Sequence, residues 1–201
     1  MRRRAHSSRG LLRHTGVRHG FQPMRKLHIG CGKTYLPRED GWINHDVFES
    51  TKADIYSDMT ALPFDRGYFD LIYSSHVLEH QHRRMILATL SHWYSLLGRG
   101  GILRLAVPDF AAVCARYRQT EDLKEVIGLL YGGQDHPKNF HTMAFDEKTL
   151  TEALLKVGFM SVRSWDYTKT EHAQFDDYSQ ARLPHLSPQG MSVSLNLEAL
   201  V

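Results

Sequence analysis

Short apolar runs alternate with longer segments of helical period from Lys26 onward, a pattern typical of a parallel sheet covered by helices. The apolar runs predict strands at 26–29, 42–46, 53–56, 69–74, 102–107, 159–165 and 191–197. Apolar spacings of three and four predict helices over 85–97, 109–117, 123–131 and 147–157. Asp109 and Asp146 are the expected N-caps of two of these helices. The last two strands have no helix between them, so we expect antiparallel neighbours within a single domain.

Composition and cysteine usage are those of a globular protein of a reducing compartment. The chain has 201 residues, of which 42% are hydrophobic and 23% charged, enough to bury a core without cross-links. Cys31 and Cys114 have neither a metal-binding nor a redox spacing, and no apolar run approaches the roughly 20 residues that span a bilayer. We therefore predict a cytoplasmic protein with no membrane partner.

The positive charge of the chain is concentrated in its first 23 residues. This segment holds six arginines and no acidic residue, whereas residues 24–201 carry 19 basic and 22 acidic residues, a net charge of −3. A domain of that sign has no electrostatic footprint for nucleic acid, and we predict no nucleic-acid partner. Residues 1–23 are interpreted as a basic, disordered leader before a domain at 24–201. A transit peptide and sequence upstream of a start at Met24 are the alternatives.

A glycine turn follows the first predicted strand, and an acid ends the second. Gly30 and Gly32 allow positive φ and a close approach of the backbone to a ligand. Asp46 stands where nucleoside-binding α/β sheets place the acid that accepts hydrogen bonds from ribose hydroxyls. Because a glycine turn after a strand also occurs for packing reasons, this pair alone indicates a nucleoside site only weakly.

Five segments in order resemble the class I S-adenosylmethionine-dependent methyltransferases, and most closely their broad small-molecule, type 11-like group. They are 27–32 (LHIGCG), 44–46 (NHD), 58–59 (DM), 62–72 (LPFDRGYFDLI) and 76–80 (HVLEH). The resemblance covers residues 26–107 and extends more weakly to the closing strand. It implies an enzyme with the cofactor S-adenosylmethionine, and an α/β three-layer sandwich. The seven-stranded sheet of that sandwich would be mostly parallel, with the last strand antiparallel.

The resemblance also assigns the cofactor contacts. The methionine portion of the cofactor would lie against the glycine loop, which is Gly30, Cys31 and Gly32. The ribose hydroxyls would bind Asp46, with Val47 against the adenine face.

The remaining implied contacts lie further along the chain. Asp58 would accept a hydrogen bond from the adenine amino group, with Met59 beside the ring. Ser75 and His76 would lie beside the sulfonium and the acceptor pocket. One departure from the family pattern is Thr34, which stands at its third glycine position. Another is the short connection between the first two strands, which leaves no room for a full first helix.

Three histidines are candidates for the group that takes a proton from the methyl acceptor. His141 is the first, because its loop follows the fifth strand and its helix, where the crevice of a parallel sheet opens. His76 and His80 are the alternatives. A purely structural role, in which His141 bonds to backbone, stays open.

The segment 76–80 also matches a zinc-peptidase pattern, His-x-x-Glu-His. That interpretation makes His76 and His80 metal ligands and Glu79 a base, and it needs a helix and a third ligand. A zinc metallopeptidase is therefore kept only as a remote alternative, and no metal ligand is assigned.

Together these features predict methyl transfer from S-adenosylmethionine to an oxygen or nitrogen atom of a small-molecule, sugar-like acceptor. A cofactor-binding protein of this fold without turnover is one alternative, and a protein methyltransferase is another. The acceptor itself and the oligomeric state are left open by the sequence.

Overall fold

One seven-stranded sheet organises the chain in the computed structural model, which describes residues 24–184 and 187–201. The predicted leader, residues 1–23, lies outside the described residues. In chain order the strands are β1 (Lys26–Ile29), β2 (Trp42–Asp46), β3 (Ile55–Tyr56), β4 (Phe69–Ser75), β5 (Leu97–Pro108), β6 (Ser161–Ser164), β7 (Arg182–Leu183), β8 (Met191–Ser192) and β9 (Ser194–Leu200). The sheet order is β3-β2-β1-β4-β5-β9-β6, and β7 and β8 form a separate hairpin.

The strand directions confirm the predicted sheet. Strands β1 to β5 are parallel to one another, whereas β9 is antiparallel to both β5 and β6. The predicted strand 191–197 is divided at Val193, whose N–H bonds to the carbonyl of Ala181 and whose carbonyl accepts from the N–H of Asp109. The chain therefore leaves the small hairpin at Val193 and enters the central sheet as β9.

Within the described residues, four α-helices connect the strands: α1 (Ile86–Leu96), α2 (Phe110–Thr120), α3 (Ile127–Tyr131) and α4 (Glu147–Val157). Both predicted N-caps are confirmed. The carboxylate of Asp109 accepts from the N–H of Ala111 (2.9 Å), and that of Asp146 accepts from the N–H of Thr149 (2.7 Å). The predicted helix over 123–131 is instead a 3₁₀ turn, Leu123–Glu125, followed by α3.

The two faces of the sheet are covered differently. On one face, α1 and α4 bury an apolar core that includes Leu27, Ile72, Leu103, Trp93 and Leu154. On the other face, the described chain between β1 and β2 forms only the 3₁₀ turn Arg38–Asp40, as the short connection predicts. The irregular segment after β6 takes the place of a helix there, and Trp165 packs from it onto the sheet.

A polar and aromatic group lies on this second face, and we call it the sheet-face cluster: His28, Tyr73, His172 and Asp177. The imidazoles of His28 and His172 pack on the Tyr73 ring, with centroid distances of 5.2 and 4.1 Å. The Tyr73 hydroxyl donates to Asp177 Oδ2, and the N–H of Ser179 donates to Asp177 Oδ1 (3.1 Å). The cluster joins the segment after β6 to the centre of the sheet.

None of the helices in the described part of the chain has the length and apolar character needed to cross a membrane.

Candidate active site

Strands β1, β2 and β4 end at the same edge of the sheet and form a cleft. The cleft has a volume of about 490 Å³, and its lining includes Gly30, Gly32 and Asp46. Gly30 has φ +69°, and a Cβ on it would lie 2.2 Å from Cγ2 of Val77, so only glycine fits there. Gly32 has φ +54° and faces open space, which leaves its backbone accessible to a ligand.

Asp46, at the end of β2, holds the glycine loop in place. Its Oδ2 accepts from the N–H of Gly32 (2.8 Å), and its Oδ1 accepts from those of Val47 (2.7 Å) and Phe48 (2.9 Å). Burial, and then the charge of Asp46, raise the pKa of the adjacent Cys31 thiol to about 12, so this thiol is neutral. A carboxylate has about four acceptor sites, and the fourth site of Asp46 faces the Cys31 Sγ at 4.0 Å, a weak contact that a ligand hydroxyl can replace.

The wall beyond Asp46 is formed by Val47, Asp58 and Met59, all of which line the cleft. Asp58 Oδ1 accepts from the N–H (2.9 Å) and the hydroxyl (2.7 Å) of Thr60, and Lys138 Nζ lies 3.7 Å from Oδ2. These contacts lower the pKa of Asp58, those with Thr60 most strongly. An adenine contact of Asp58 stays a prediction, and Lys138 competes for the same carboxylate.

A loop over residues 134–140 forms the outer wall of the cleft. The His136 ring meets Phe48 edge-on, with centroids 4.5 Å apart. The loop is closed on itself, since the N–H of Gln134 donates to the carbonyl of Asn139 (2.9 Å) and Asn139 Nδ2 donates to Asp135 (2.6 Å). Contacts with Phe48 and Asp58 thus bring this loop over the ends of β2 and β3.

A second cavity of about 840 Å³ adjoins the cleft, and both are lined by Gly30, Gly32, His76 and His80. Ser75 lines only the second cavity, where its hydroxyl donates to the carbonyl of Asp177. Ser75 and His76 were predicted to lie beside the sulfonium and the acceptor pocket. His76 lies where the two cavities meet, and Ser75 lies in the second cavity.

The three candidate histidines come together around one glutamate, and we call this group the cleft cluster: His76, Glu79, His80 and His141. Glu79 Oε1 lies 3.6 Å from His76 Nδ1 and 3.9 Å from His141 Nε2. The rings of His80 and His141 meet edge-on with centroids 4.8 Å apart. His141 reaches the group because the N–H groups of Thr142 and Met143 bond to the Glu79 carbonyl.

The hydrogen bonds of these imidazoles fix their tautomers. His80 Nδ1 lies 3.1 Å from the carbonyl of Phe140, and His141 Nδ1 lies 2.9 Å from that of Leu129. A carbonyl only accepts, so both Nδ1 atoms carry the proton and both Nε2 atoms carry a lone pair. The backbone bond of His141 was expected as the structural alternative, yet it leaves the Nε2 of His141 free for chemistry.

His76 is held in the same way by a different partner. The Ser194 hydroxyl donates to Asn196 Oδ1 (2.9 Å), so it accepts from His76 Nε2 (3.1 Å). The lone pair of His76 is therefore on Nδ1, the atom that faces Glu79. Burial, reinforced by the neighbouring imidazoles of His141 and His80, lowers the pKa of His76 to about 3. Burial also lowers the pKa values of His80 and His141.

Glu79 is the residue of this site that sequence reasoning missed, except as the base of the zinc-peptidase pattern. Its side chain is 1% exposed, and neither of its oxygens has a hydrogen-bond partner within residues 24–184 and 187–201. Burial raises the pKa of Glu79 to about 8. The only sequence signal was its place between His76 and His80.

The local backbone does not provide the helix that the zinc-peptidase pattern requires. His76 has φ +52°, and Leu78–His80 is a single 3₁₀ turn. His76 and His80 are thus not successive ligands on one α-helix, which removes the basis of the metallopeptidase interpretation.

Comparison with known proteins places the chain in a family. The family model described as "Methyltransferase domain" matches residues 3–164, so the chain belongs to the methyltransferase-domain family and is an enzyme of methyl transfer. The resemblance found in the sequence is thereby confirmed. A search of curated proteins finds no match to this sequence.

Solved structures agree with the fold. An S-adenosylmethionine-dependent methyltransferase from Archaeoglobus fulgidus is 19% identical with a TM-score of 0.59, over 89% of this chain and 86% of that one. One from Mesorhizobium loti is 18% identical (TM-score 0.54; 89% and 91%). The 1,6-didemethyltoxoflavin N1-methyltransferase of Burkholderia thailandensis, solved with S-adenosylhomocysteine, is 16% identical (TM-score 0.53; 89% and 71%). At such identities the likeness concerns the fold alone.

Proposed function

We propose that this enzyme transfers a methyl group from S-adenosylmethionine to an oxygen or nitrogen atom of a small, sugar-like molecule. The observation that carries the proposal is the junction of two cavities at His76, with the Asp46 glycine loop on one side and the cleft cluster on the other. Membership of the methyltransferase-domain family and the Archaeoglobus and Burkholderia structures support the choice of cofactor.

The residues of the cleft fit this cofactor. A ribose hydroxyl would replace the weak Cys31 Sγ contact on Asp46, and Gly32 leaves open space beside the chain. S-adenosylmethionine carries no phosphate group. This agrees with the glycine loop, where the Asp46 carboxylate already accepts the hydrogen bond of the Gly32 N–H. Gly30, Cys31 and Gly32 would hold the methionine portion, while Val47, Asp58 and Met59 would flank the adenine.

The cofactor supplies an electrophilic methyl group on its sulfonium. The protein has to align the acceptor for in-line displacement, exclude water and remove the proton of the acceptor. The cleft cluster carries three imidazole lone pairs, so His141, His76 or His80 can take that proton, and Glu79 lies among them. We place the acceptor in the second cavity, against this cluster.

The second cavity favours a polar small molecule. Its volume of about 840 Å³ lies within the range of small-molecule sites. Charged and hydroxyl side chains such as Thr34, Glu125 and Asp176 are among its lining residues. The net charge of −3 over residues 24–201 argues against a nucleic-acid substrate.

Cofactor binding is tested first, by isothermal titration of the full chain with S-adenosylmethionine and S-adenosylhomocysteine. We expect micromolar binding by the wild type and at least tenfold weaker binding by Asp46→Ala, about 1.4 kcal/mol. Asp46→Asn, which keeps the side-chain shape, should weaken binding in the same direction. The control is Asp65→Ala, an exposed acid in another turn. Absence of binding by a folded wild type would overturn the proposal.

Transfer is tested with radiolabelled cofactor and a cell extract that is separated afterwards into metabolites and macromolecules. We expect label in a metabolite, and a loss of about 10² or more in rate for His141→Ala with unchanged cofactor affinity. Label on protein would instead indicate a protein methyltransferase. Cofactor binding without label in any fraction would indicate a fold without turnover.

A further inference from the structure

We propose that Glu79, His80 and His141 bind a divalent transition metal ion of the zinc class at the acceptor end of the site. Metal binding itself is independent of the proposed function. Only its use in catalysis, described below, rests on that function.

The ligand atoms are already close together. One ligand atom from each of the three residues lies within 4.8 Å of the others. Two ligands of a tetrahedral zinc ion, each about 2.1 Å from it, are about 3.4 Å apart. Glu79 Oε1 and His141 Nε2 are 3.9 Å apart, so a small side-chain rotation brings this pair to coordination distance. Two imidazoles and one carboxylate form a donor set that zinc and related ions accept in enzymes.

The hydrogen bonds behind the imidazoles are those of metal ligands. A ligating histidine almost always donates its second ring N–H to a carbonyl or carboxylate, which fixes the tautomer and aims the lone pair. His80 does so to Phe140 and His141 to Leu129. Both partners are backbone atoms, so the orientation of each ring follows from the fold.

The carboxylate of Glu79 is the second, independent observation. It is 1% exposed and without a hydrogen-bond partner among the described residues, although each buried polar group normally has one. A protonated Glu79 would need an acceptor within hydrogen-bond distance, but the imidazole nitrogens of His76 and His141 are 3.6 and 3.9 Å away. Lone pairs on these imidazoles facing a carboxylate repel one another unless a cation lies between them.

The proposed ion would be reached from both cavities. His80 lines the cleft and the second cavity, and His141 lines the second. Three protein ligands leave a fourth position for an oxygen of the acceptor, the arrangement of catalytic rather than structural zinc sites. The metal ion would stabilise the deprotonated acceptor, whose proton would pass to solvent in the second cavity. The acceptor oxygen then bonds to the methyl carbon as the sulfur–carbon bond breaks, leaving a neutral thioether.

The experiment uses the full chain after dialysis against a chelator. Zn²⁺ is titrated calorimetrically, and Co²⁺ is added separately because its visible absorption reports tetrahedral nitrogen and oxygen ligands. We expect one ion per chain in the wild type and binding at least about 100-fold weaker in His141→Ala and in the isosteric Glu79→Gln. His82→Ala, an exposed histidine two residues from His80, is the matched control and should bind as the wild type does.

Three outcomes separate this inference from the proposed function. Stoichiometric Zn²⁺ binding that both variants lose supports the metal site, whether or not an acceptor is known. Absence of Zn²⁺ and Co²⁺ binding to a folded protein that still binds S-adenosylmethionine overturns the metal site and leaves the function standing. Full methyl transfer by chelator-treated protein would overturn the catalytic use of the ion alone.

Discussion

The sheet-face cluster and the cleft cluster each combine buried histidines with one buried carboxylate. They differ in the hydrogen bonds that this carboxylate accepts. In the sheet-face cluster, Asp177 accepts hydrogen bonds from Tyr73 and from the N–H of Ser179. In the cleft cluster, neither oxygen of Glu79 has a partner among the residues that the structure describes. Both acids are almost inaccessible to water, at 6% and 1% exposure.

This difference in hydrogen bonding indicates a structural role for one carboxylate and a functional role for the other. A buried carboxylate that accepts several hydrogen bonds holds its neighbours together, and its loss leaves them unpaired. A buried carboxylate without partners costs free energy in the folded state, and such costs concentrate at functional sites. The same residue types therefore indicate a structural cluster on the sheet face and a chemical one at the cleft.

The largest effect on stability is expected from Asp177→Ala. The substitution leaves the Tyr73 hydroxyl and the N–H of Ser179 buried without an acceptor. At about 1–3 kcal/mol for each such group, we expect the free energy of unfolding to fall by about 3 kcal/mol. Urea denaturation measures it, with exposed Asp65→Ala as the control. A change below about 1 kcal/mol would mean that this cluster does not hold the segment after β6.

A pH dependence follows from the same cluster. Burial lowers the pKa of His28 to about 4, although the hydrogen bond between His28 and Asn44 acts in the opposite direction. Burial lowers the pKa of His172 as well. Between pH 6.5 and 4 the unfolded chain therefore binds protons that folded His28 does not, and stability falls as pH falls. For His28 alone we expect a loss of about 2 kcal/mol between pH 7 and 5.

His28→Gln isolates this contribution. The quantity to compare is the change in unfolding free energy between the two pH values, which should be about 2 kcal/mol smaller than in the wild type. His82→Gln, which replaces an exposed histidine, should leave the change unaltered. An equal pH dependence in His28→Gln and the wild type would show that His28 titrates normally in the folded protein.

Sequence patterns predicted the local elements well because these are encoded locally. The strand 26–29, the strand 42–46 and the caps Asp109 and Asp146 agree with the structure, since alternation and capping involve residues only a few positions apart. The absence of an α-helix between β1 and β2, all of whose connecting residues are described, was predicted from the small number of residues in that connection. The separate hairpin of β7 and β8 was missed, because Val193 interrupts a run that alternates continuously in sequence.

The clusters could be predicted only in part, for the opposite reason. His76, His80 and His141 were selected as candidates, but their convergence depends on hydrogen bonds between the Glu79 carbonyl and a loop about sixty positions away. Whether Glu79 has a partner is likewise a property of packing. His172 and Asp177 fall in a polar segment that no periodicity distinguishes from a mobile loop, yet they complete one face of the sheet.

Glu79→Gln should have the smallest effect on stability, and the opposite sign to Asp177→Ala. Because no described side chain or backbone group bonds to the Glu79 carboxylate, replacing it removes a desolvation cost without breaking a contact. In chelator-treated protein we expect the free energy of unfolding to rise by about 1 kcal/mol. Urea denaturation of this variant and of Asp177→Ala in one experiment measures the expected gain and the expected loss of unfolding free energy.

A loss of stability as large as that of Asp177→Ala would mean that Glu79 is a structural acid like Asp177, and the contrast between the clusters would fail. A gain in metal-free protein that reverses when Zn²⁺ is added, with the wild type then the more stable, would instead identify the metal ion as the missing partner of Glu79.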